Sequence, residues 1–436
     1  MKKQLTAKWL FLSIIATSAV SFTNQLLAAG YQLWEQDGAS IGNYHAGRAA
    51  IAEDASTAFY NPAGLVRIPN QEIVLGVVPI MTGIQFRGTV ETSTLGTGAV
   101  PTTVQGGTYN TVPNLHYAIP IAETLTFGLS LVSPFGLDVN YGSSTNMQYA
   151  LMLASLKVVD LAPALGMKIT DHWSFGVGVD IEHANAEFDA VATAFSSAND
   201  TISHNTGSSS GLGYHAGILY QCNPRTRIGL SYQSKIIHHI HGSSQFVGPL
   251  ATTISPGTSN NVVGESLRIN VPLPATSTLS FFQTLDKVWD VMVSVSYTQW
   301  NILRSLIVQE VVGTTGNVDV DSPQKFINTW NIAAGANYHL NDQVMFRAGF
   351  GLDQSPANNQ YRTVSLPDSN RYIFAVGVHY QATKAVSCDL GWTHLTAINA
   401  KINNPPDILG AQVDNTLGTV ESNADVYGFQ VKWDIV

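Results

Sequence analysis

The stretch Trp173-Ser174-Phe175-Gly176-Val177-Gly178-Val179-Asp180-Ile181-Glu182 alternates large apolar residues with small or acidic ones. Side chains of a β-strand point to opposite faces at every second residue, so this pattern predicts a strand with one apolar and one polar face. A helix would repeat its apolar residues every three or four positions instead. The same alternation recurs in stretches that begin near residues 289, 344 and 372. The chain from about residue 71 onward is therefore predicted to be all-β.

The connections between the predicted strands fall into two length classes that alternate along the chain. Six are tight, at residues 121–124, 170–172, 222–226, 285–288, 340–343 and 382–385. Seven are long and rich in small and polar residues, at residues 88–110, 141–154, 190–211, 246–265, 310–328, 355–371 and 399–425. Together they join 14 strands, with both ends of the chain on the side of the short turns. This layout predicts a 14-stranded antiparallel transmembrane β-barrel, residues 71–436, with periplasmic turns and extracellular loops.

Aromatic residues on the apolar face form two groups about one strand length apart. One group lies beside the short turns or the C-terminus: Trp173, Tyr220, Trp289, Tyr338, Tyr380 and Trp433. The other lies at the loop ends: Tyr214, Trp330, Tyr372 and Tyr427. Two such rings are the interfacial girdles expected of a membrane barrel, whereas a soluble β-sandwich has no reason to order its aromatic residues this way.

Composition and charge fit an exported membrane protein. Charged residues make up only 12% of the chain, and the mean hydropathy is +0.09. Residues 1–28 resemble a signal peptide, with Lys2, Lys3 and Lys8 before an apolar stretch and a small-residue cleavage site near Ala28. The alternative, a membrane anchor, is disfavoured because the apolar stretch is shorter than about 20 residues. Since the formal net charge is −9, we expect no nucleic-acid partner.

The two cysteines, Cys222 and Cys388, belong to the sixth and thirteenth predicted strands. These strands lie on opposite walls of a closed barrel. A disulfide needs Cα atoms within about 7 Å, so we expect no bond between the two thiols.

A barrel of this size must be filled by something other than its own wall. The predicted inward face is rich in Gly, Ser and Thr, which are too small to close the lumen. Residues 29–70 lack strand alternation, and Asn61-Pro62 would end any helix before it. We therefore interpret residues 29–70 as a plug inside the barrel, which we call the hatch. The alternative is a small periplasmic extension.

Several segments resemble the FadL family of outer-membrane transporters of long-chain fatty acids. In the hatch these are Gly47-Arg48-Ala49-Ala50-Ile51-Ala52-Glu53-Asp54-Ala55 and Asn61-Pro62-Ala63. Near the C-terminus they are Asp353-Gln354-Ser355-Pro356 and Leu366-Pro367-Asp368, followed by Arg371. The resemblance covers nearly the whole chain after the signal peptide. It implies a 14-stranded barrel with a hatch, in agreement with the count above.

The resemblance also implies a mechanism. Members of this family capture hydrophobic molecules on extracellular loops, hold them in an internal apolar pocket and release them sideways beside a kinked third strand. The third strand here, residues 124–141, contains Pro134-Phe135-Gly136, and the fourth contains Pro163. Because proline cannot donate a ladder hydrogen bond, we predict a lateral opening at these residues. The alternative is an ordinary barrel bulge.

Ligand contacts can be predicted at two places. The long loops carry Val191, Phe195, Phe246 and Leu250, which could form an apolar landing groove or only pack on each other over the barrel mouth. For a carboxylate head group, Arg347 and Arg227 are predicted to point inward. Either arginine could instead belong to a structural ion pair.

The ligand remains open at this point. Asn185 stands where family members can carry a basic residue, which keeps neutral aromatic hydrocarbons as an alternative to fatty acids. A surface receptor or adhesin barrel is a further alternative. We expect the partners to be a hydrophobic small molecule, outer-membrane lipid and lipopolysaccharide, and the protein to be a monomer.

No motif indicates enzymatic chemistry. Gly207-Ser208-Ser209-Ser210-Gly211 matches a nucleophile-elbow pattern but lacks the strand, turn and helix that such a site needs. Of His238, His239 and His241, only the last two share a strand face, and no Cys or carboxylate joins them in sequence. We therefore predict no catalytic residues, no metal and no cofactor.

Overall fold

The computed structural model describes residues 30–92, 98–194, 196–254, 260–314, 316–404 and 415–435. The predicted signal peptide and Phe195 lie outside these described residues. In the described part of the chain, no helix is long and apolar enough to cross a membrane.

Fourteen strands form the wall, as predicted. Seven are continuous: β1 (Gln71–Glu91), β4 (Leu153–Lys168), β5 (Trp173–Ala194), β6 (Ser196–Asn223), β11 (Val344–Asp353), β12 (Arg371–Gln381) and β14 (Asn415–Ile435). Seven consist of two segments: β2 (Ala99–Gln105, Tyr109–Ala122), β3 (Leu125–Val132, Gly136–Asn140), β7 (Thr226–Gln233, Ile236–Val247), β8 (Asn261–Leu273, Thr276–Thr284), β9 (Trp289–Thr298, Ser305–Gly313), β10 (Gly316–Pro323, Thr329–His339) and β13 (Val386–Ala397, Ala400–Asn404).

Each strand pairs antiparallel with the next, and β1 pairs with β14 to close the barrel. The two aromatic girdles are present on the outside. Trp173 packs on Tyr220 with ring centroids 4.4 Å apart, beside the short turns. At the other end Tyr297 packs on Trp330 at 4.6 Å. Closure leaves no unpaired sheet edge in lipid, which is why a barrel can span the membrane.

Several predicted loops are largely strand. The predicted loop at residues 190–211 is a hairpin, because β5 runs to Ala194 and β6 begins at Ser196. The predicted loop at residues 310–328 likewise contains the end of β9 and the first segment of β10. These extensions stand beyond the membrane, where water replaces lipid outside the barrel. Their outer faces therefore need no apolar residues, and the alternation that identifies a membrane strand is lost.

The hatch lies inside the barrel, where it forms four short helices: a 3-10 helix at Ser40–Asn43, α1 (Arg48–Ile51), α2 (Thr57–Tyr60) and a 3-10 helix at Pro62–Arg67. Two further α-helices, α3 (Met147–Ala150) and α4 (Ala251–Ile254), and a 3-10 helix at Trp300–Ile302 belong to the connections and to the break in β9. Inward-facing glycines let the hatch backbone approach the wall. A Cβ atom at Gly229 would collide with the carbonyl of Ala49, and one at Gly176 with Pro62.

Polar side chains fix the hatch to the wall. Gln430 accepts hydrogen bonds from the backbone N–H groups of Gly38 and Ala39, each at 3.1 Å. A ring nitrogen of His116 lies 2.9 Å from the carbonyl oxygen of Gln36, and one of His215 lies 3.0 Å from that of Ala58. Small inward residues of the wall therefore make room for the hatch, and larger polar residues of the wall hydrogen-bond it.

Candidate ligand chamber and wall gap

An apolar chamber of about 170 Å³ lies between the start of the hatch and the extracellular half of the wall. Its lining comes from Gly30–Glu35, β1, the second segment of β3, β12, β13, β14 and the loop around Leu366. A smaller apolar cavity of about 50 Å³ shares Tyr31, Leu137 and Leu366 with the chamber. That cavity adds Phe188 and Val271 from β5 and β8, so the apolar lining extends toward the extracellular hairpins.

An aromatic cluster covers this region. Tyr31 packs edge-on against Trp300 and Phe135, with ring centroids 4.8 and 6.1 Å apart. The Trp300 side chain is fully buried. Because Tyr31 belongs to the hatch and Phe135 to the wall, the cluster links the position of the hatch to the shape of the chamber.

One cation, Arg371, lines the chamber. Its Nη2 donates to Asp368 at 2.9 Å, and its Nη1 lies 3.9 Å from a carboxylate oxygen of Asp353. Asp368 also accepts from the backbone N–H of Gly30 at 2.8 Å and from the Ser355 hydroxyl at 2.7 Å. The Asp-x-Ser-Pro and Pro-Asp segments therefore hold the start of the hatch and the arginine together.

Glu35 is a further ionisable group in the lining. Burial raises the pKa of this carboxyl above its usual range, although Arg371 opposes the shift. The carboxyl also accepts a hydrogen bond from the backbone N–H of Trp34 at 2.8 Å. The chamber thus combines an apolar wall with Arg371, the aspartates Asp138 and Asp368, and a Glu35 carboxyl whose charge is disfavoured.

The third strand is broken at Pro134, and the hatch binds to the break. The carbonyl of Pro134 accepts from the N–H of Leu33 at 2.9 Å, and the N–H of Gly136 donates to Tyr31 at 3.0 Å. Gln32 and Phe135 form an antiparallel β-bridge between these two bonds. The hatch therefore supplies hydrogen-bond partners that a neighbouring wall strand would otherwise supply.

The ladder between β2 and β3 ends at the same break. Its last register pair toward the extracellular side is Leu115↔Leu131. Above that pair, Asn110 still donates to the Asp138 carboxylate at 2.8 Å, and the N–H of Asn140 donates to Gly106 at 3.0 Å. The described contacts thus leave a gap in the strand pairing between β2 and β3, next to the chamber.

Comparisons with known proteins agree with this architecture. A model of the family described as "Outer membrane protein transport protein (OMPP1/FadL/TodX)" matches residues 19–434. The chain belongs to this family. It is therefore an outer-membrane β-barrel protein, as the sequence patterns predicted, and its family is one of transport proteins rather than enzymes.

Individual relatives are distant but matched over nearly their whole length. A "Long-chain fatty acid transport protein" of Escherichia coli K12 is 25% identical over 434 residues, which cover 90% of this chain and 94% of that protein. "Outer membrane protein P1" of Haemophilus influenzae is 26% identical over 470 residues, covering 97% and 98%.

Solved structures show the same fold. A Pseudomonas aeruginosa FadL homologue superimposes with a TM-score of 0.82 at 20% identity, covering 93% of this chain and all of that one. The Pseudomonas putida toluene transporter TodX superimposes with a TM-score of 0.67 at 15% identity, covering 94% and 99%.

The predicted hatch residues lie in the lumen, close to the wall. The Asn61 amide donates to the carbonyls of Ala49 and Ile218, at 2.6 and 3.2 Å, and its oxygen accepts from the N–H of Ala63 at 3.1 Å. Pro62 opens the 3-10 helix that Asn61 caps. The Asn-Pro-Ala motif therefore joins two hatch helices to β6.

The charged hatch residues form buried pairs. Arg48 is paired with Asp37 and lies 3.2 Å from Glu53. Asp54 accepts from Gln430 of β14 at 2.9 Å and from the hydroxyl of Ser56. These contacts hold the hatch to itself and to the wall.

The two arginines predicted to bind a head group lie elsewhere. Arg227 donates to the carbonyls of Ala50 and Ile51, both at 2.8 Å. Arg347 pairs with Glu53 and Asp389, at 2.9 and 3.0 Å. Both line a polar cavity of about 410 Å³ beside the short turn at residues 341–344, on the opposite side of the hatch from the chamber. The alternative, a structural role, fits this geometry better.

Arg371 lines the chamber although the sequence patterns assign it no ligand role. The available signal is its position three residues after Asp368, at the first residue of a strand, where a side chain can still turn into the lumen.

Pro163 does not share the gap with Pro134, contrary to the prediction. It still pairs with Leu129 of β3, and only the β4–β5 ladder is interrupted beside it. That ladder resumes at Ala164↔Gly178 in the register it had at Leu161↔Ile181. Pro163 therefore marks a local irregularity in a continuous part of the wall.

The predicted landing groove is not an open surface in this structure. Val191 is buried in the main apolar cluster above the hatch. Phe246 and Leu250 are buried against Ala251 and Val312. The hairpins pack on each other because each carries apolar residues on its inner face, which was the alternative to the groove.

The three histidines near residue 240 lie on different sides of the barrel wall, as expected. His238 faces inward, with a ring nitrogen 2.9 Å from Glu182, whereas His239 and His241 are exposed on the outside. The cysteines Cys222 and Cys388 are free thiols on β6 and β13. Among the described residues, one group could hold a metal by its spacing, Glu187, Asp189 and His204 on the β5–β6 hairpin, and it lies outside the chamber lining.

Proposed function

We propose that this protein mediates passive uptake of hydrophobic compounds across the outer membrane, with long-chain fatty acids as its first ligand class. The observation that carries this proposal is the apolar chamber beside the gap between β2 and β3. A hydrophobic molecule gains nothing from a watery pore, since its transfer from water is favourable only into apolar surroundings. A chamber that borders a wall gap offers such surroundings on a path toward the bilayer.

The names of the relatives support the choice of ligand class. Curated relatives that match this chain almost from end to end are called long-chain fatty acid transport proteins. In the chamber, Arg371 can bind a carboxylate through charge-assisted hydrogen bonds. The apolar lining from β1, β3 and β14 can hold an acyl chain.

We further propose that the ligand leaves sideways. The hatch segment Tyr31–Leu33 is hydrogen-bonded to the break in β3. These bonds can be lost while the pairing between the wall strands stays intact. Withdrawal of this segment would open the chamber to the gap. Arg227 and Arg347 hold a different part of the hatch, so the start of the hatch can move while the rest stays in place.

A second ligand class has an observation in its favour. Arg371 is already paired with Asp368, and Asp353 lies close by, so its charge is largely neutralised before any ligand arrives. A neutral aromatic hydrocarbon would not have to compete with these carboxylates. Solved relatives of the same fold are named as toluene transporters and monoaromatic hydrocarbon channels.

Uptake by cells that lack their own transporter tests both classes. Cells that make this protein should accumulate radiolabelled oleate faster than cells with an empty vector, and a parallel assay with labelled toluene measures the alternative. Toluene uptake without oleate uptake would favour the second class. Equal rates with and without the protein for both compounds would refute the transport function and favour a receptor or adhesin.

A further inference from the structure

A row of exposed polar residues crosses five neighbouring strands, β4 to β8, on the outside of the barrel. Successive register pairs join its members Lys157, Asn185, Ser208, His241 and Arg268. All five side chains are exposed. Because neighbouring strands lie about 4.8 Å apart, the row is about 20 Å long.

A second polar row runs beside the first, two residues closer to the membrane along each strand. It contains His183, Ser210, His239 and Asn270, all exposed. A ring nitrogen of His183 lies 3.3 Å from the Ser210 hydroxyl, and one of His239 lies 2.7 Å from the Asn270 amide oxygen. We call these nine residues the polar belt.

The polar belt begins where the apolar outer surface ends. Two residues further toward the membrane, the exposed side chains are Leu161, Ile181, Leu212 and Ile237, which are 41%, 46%, 73% and 42% exposed. Below them lies the girdle residue Tyr214, whose ring centroid is 5.9 Å from that of Tyr232. A step of two residues along a strand is about 6.6 Å. The polar belt therefore lies at the depth of the lipid head groups of the outer leaflet.

The charge of the polar belt is opposite to that of the whole chain. The belt holds two permanent cations, Lys157 and Arg268, and three histidines but no acid, although the chain has a formal net charge of −9. Neither Lys157 nor Arg268 forms an ion pair with any acid in the part of the chain that the structure describes. The nearest acid on the outward face of β5 is Glu187, whose carboxylate lies 3.7 Å from His204, whereas Glu182 is buried on the inward face.

We propose that the polar belt binds the phosphate groups of lipid A, the membrane anchor of lipopolysaccharide. Arginine and lysine bind phosphate through charge-assisted hydrogen bonds, and arginine does so with two parallel donors. The Ser and Asn members add neutral donors between the cations. The apolar row beneath the belt would contact the acyl chains of the same lipid. This inference depends on the outer-membrane location and not on the transported ligand.

Native mass spectrometry of the full-length protein in detergent tests the proposal. Diphosphoryl lipid A is titrated onto the wild type, the double variant Lys157→Gln/Arg268→Gln, and the control Arg87→Gln. Arg87 is also exposed on the outside, but it lies on β1 and pairs with Glu421 at 4.0 Å. We expect the double variant to bind at least about tenfold more weakly and the control to bind like the wild type.

Two comparisons separate phosphate recognition from general lipid binding. The wild type should prefer diphosphoryl over monophosphoryl lipid A, and inorganic phosphate should compete only at millimolar concentration. Equal affinity of the wild type and the double variant, or no preference for the second phosphate, would overturn the proposal. If the double variant loses the heat-dependent gel mobility of a folded barrel, the single variant Lys157→Gln gives the same test with a smaller expected loss of about fivefold.

Discussion

Two prolines on neighbouring strands have different consequences for the wall. Pro163 leaves its ladder in register, whereas Pro134 coincides with the end of the β2–β3 ladder. Both lack the N–H group that a ladder needs. The difference is that the carbonyl of Pro134 and the N–H of Gly136 are bonded to the hatch, while no backbone hydrogen bond from the described residues of the hatch reaches Pro163. A proline alone therefore does not open a barrel wall; an alternative partner for the freed backbone groups is also needed.

The largest expected effect comes from removing that partner altogether. Deletion of residues 29–61 takes away the segment bonded to the gap and most of the hatch. Because the inward face of the wall carries glycines where the hatch approaches, the wall itself does not fill this part of the lumen. Single-channel conductance in planar bilayers should rise by roughly tenfold or more over the full-length protein. Unchanged conductance would contradict the interpretation of residues 29–70 as a plug.

Straightening β3 should have the next largest effect. The variant Pro134→Val restores a donor, and the additional change Gly136→Val places a side chain against Leu33, whose Cδ1 lies 3.0 Å from the Cβ position. Oleate uptake should fall by about tenfold while the barrel still folds, because the β2–β3 ladder can then extend across the gap.

Pro163→Val is the matched control for this variant. It changes the same residue type on the adjacent strand, where the wall is already continuous, and uptake should stay within about twofold of the wild type. Similar losses in both variants would mean that the two prolines do not differ in function.

A smaller effect is expected inside the chamber. Arg371→Gln should weaken oleate binding about tenfold, because it removes one charge-assisted hydrogen bond to the carboxylate. Binding of the corresponding fatty alcohol, which has no carboxylate, should not change. Isothermal titration calorimetry on the detergent-solubilised protein measures both ligands. Arg227→Gln, on the other side of the hatch, is the control and should bind oleate normally. A loss for the alcohol as great as that for oleate would argue against a head-group role.

The smallest effect concerns Glu35. Its raised pKa keeps the carboxyl neutral at a higher pH than an exposed glutamate, and its ionisation at still higher pH places a negative charge in the chamber. Oleate affinity should therefore decrease as the pH rises beyond the range in which an exposed glutamate ionises, by less than about tenfold. In Glu35→Gln this decrease should be absent. A wild-type affinity that does not change with pH would contradict the role of Glu35.

Sequence patterns predicted the wall well because lipid imposes a strict alternation on every membrane strand. Trp173 to Ile181 show that alternation, and the six short turns lie where they were predicted. The same signal fails above the membrane, where β5 and β6 continue through a stretch predicted as a loop. There both faces of the hairpin contact water or protein, so no period of two is required.

The candidate site was less predictable because it depends on contacts between distant segments. A proline in a strand indicates a missing donor, but only the bonds from Tyr31 and Leu33 distinguish Pro134 from Pro163. An inward arginine indicates a lumen cation, but its partner decides its role. Arg347 meets Glu53 of the hatch, whereas Arg371 faces the chamber.

A reversible cross-link tests the role of the hatch at the gap most directly. Gln32→Cys and Phe135→Cys, placed at the β-bridge in a background with Cys222→Ser and Cys388→Ser, would lock the hatch to β3 when oxidised. The pair Val293→Cys and Ala334→Cys, on the intact β9–β10 ladder, is the control. We predict that oxidation stops oleate uptake only in the first pair and that reduction restores it. Undiminished uptake by the fully oxidised Gln32–Phe135 pair would contradict lateral release past the start of the hatch.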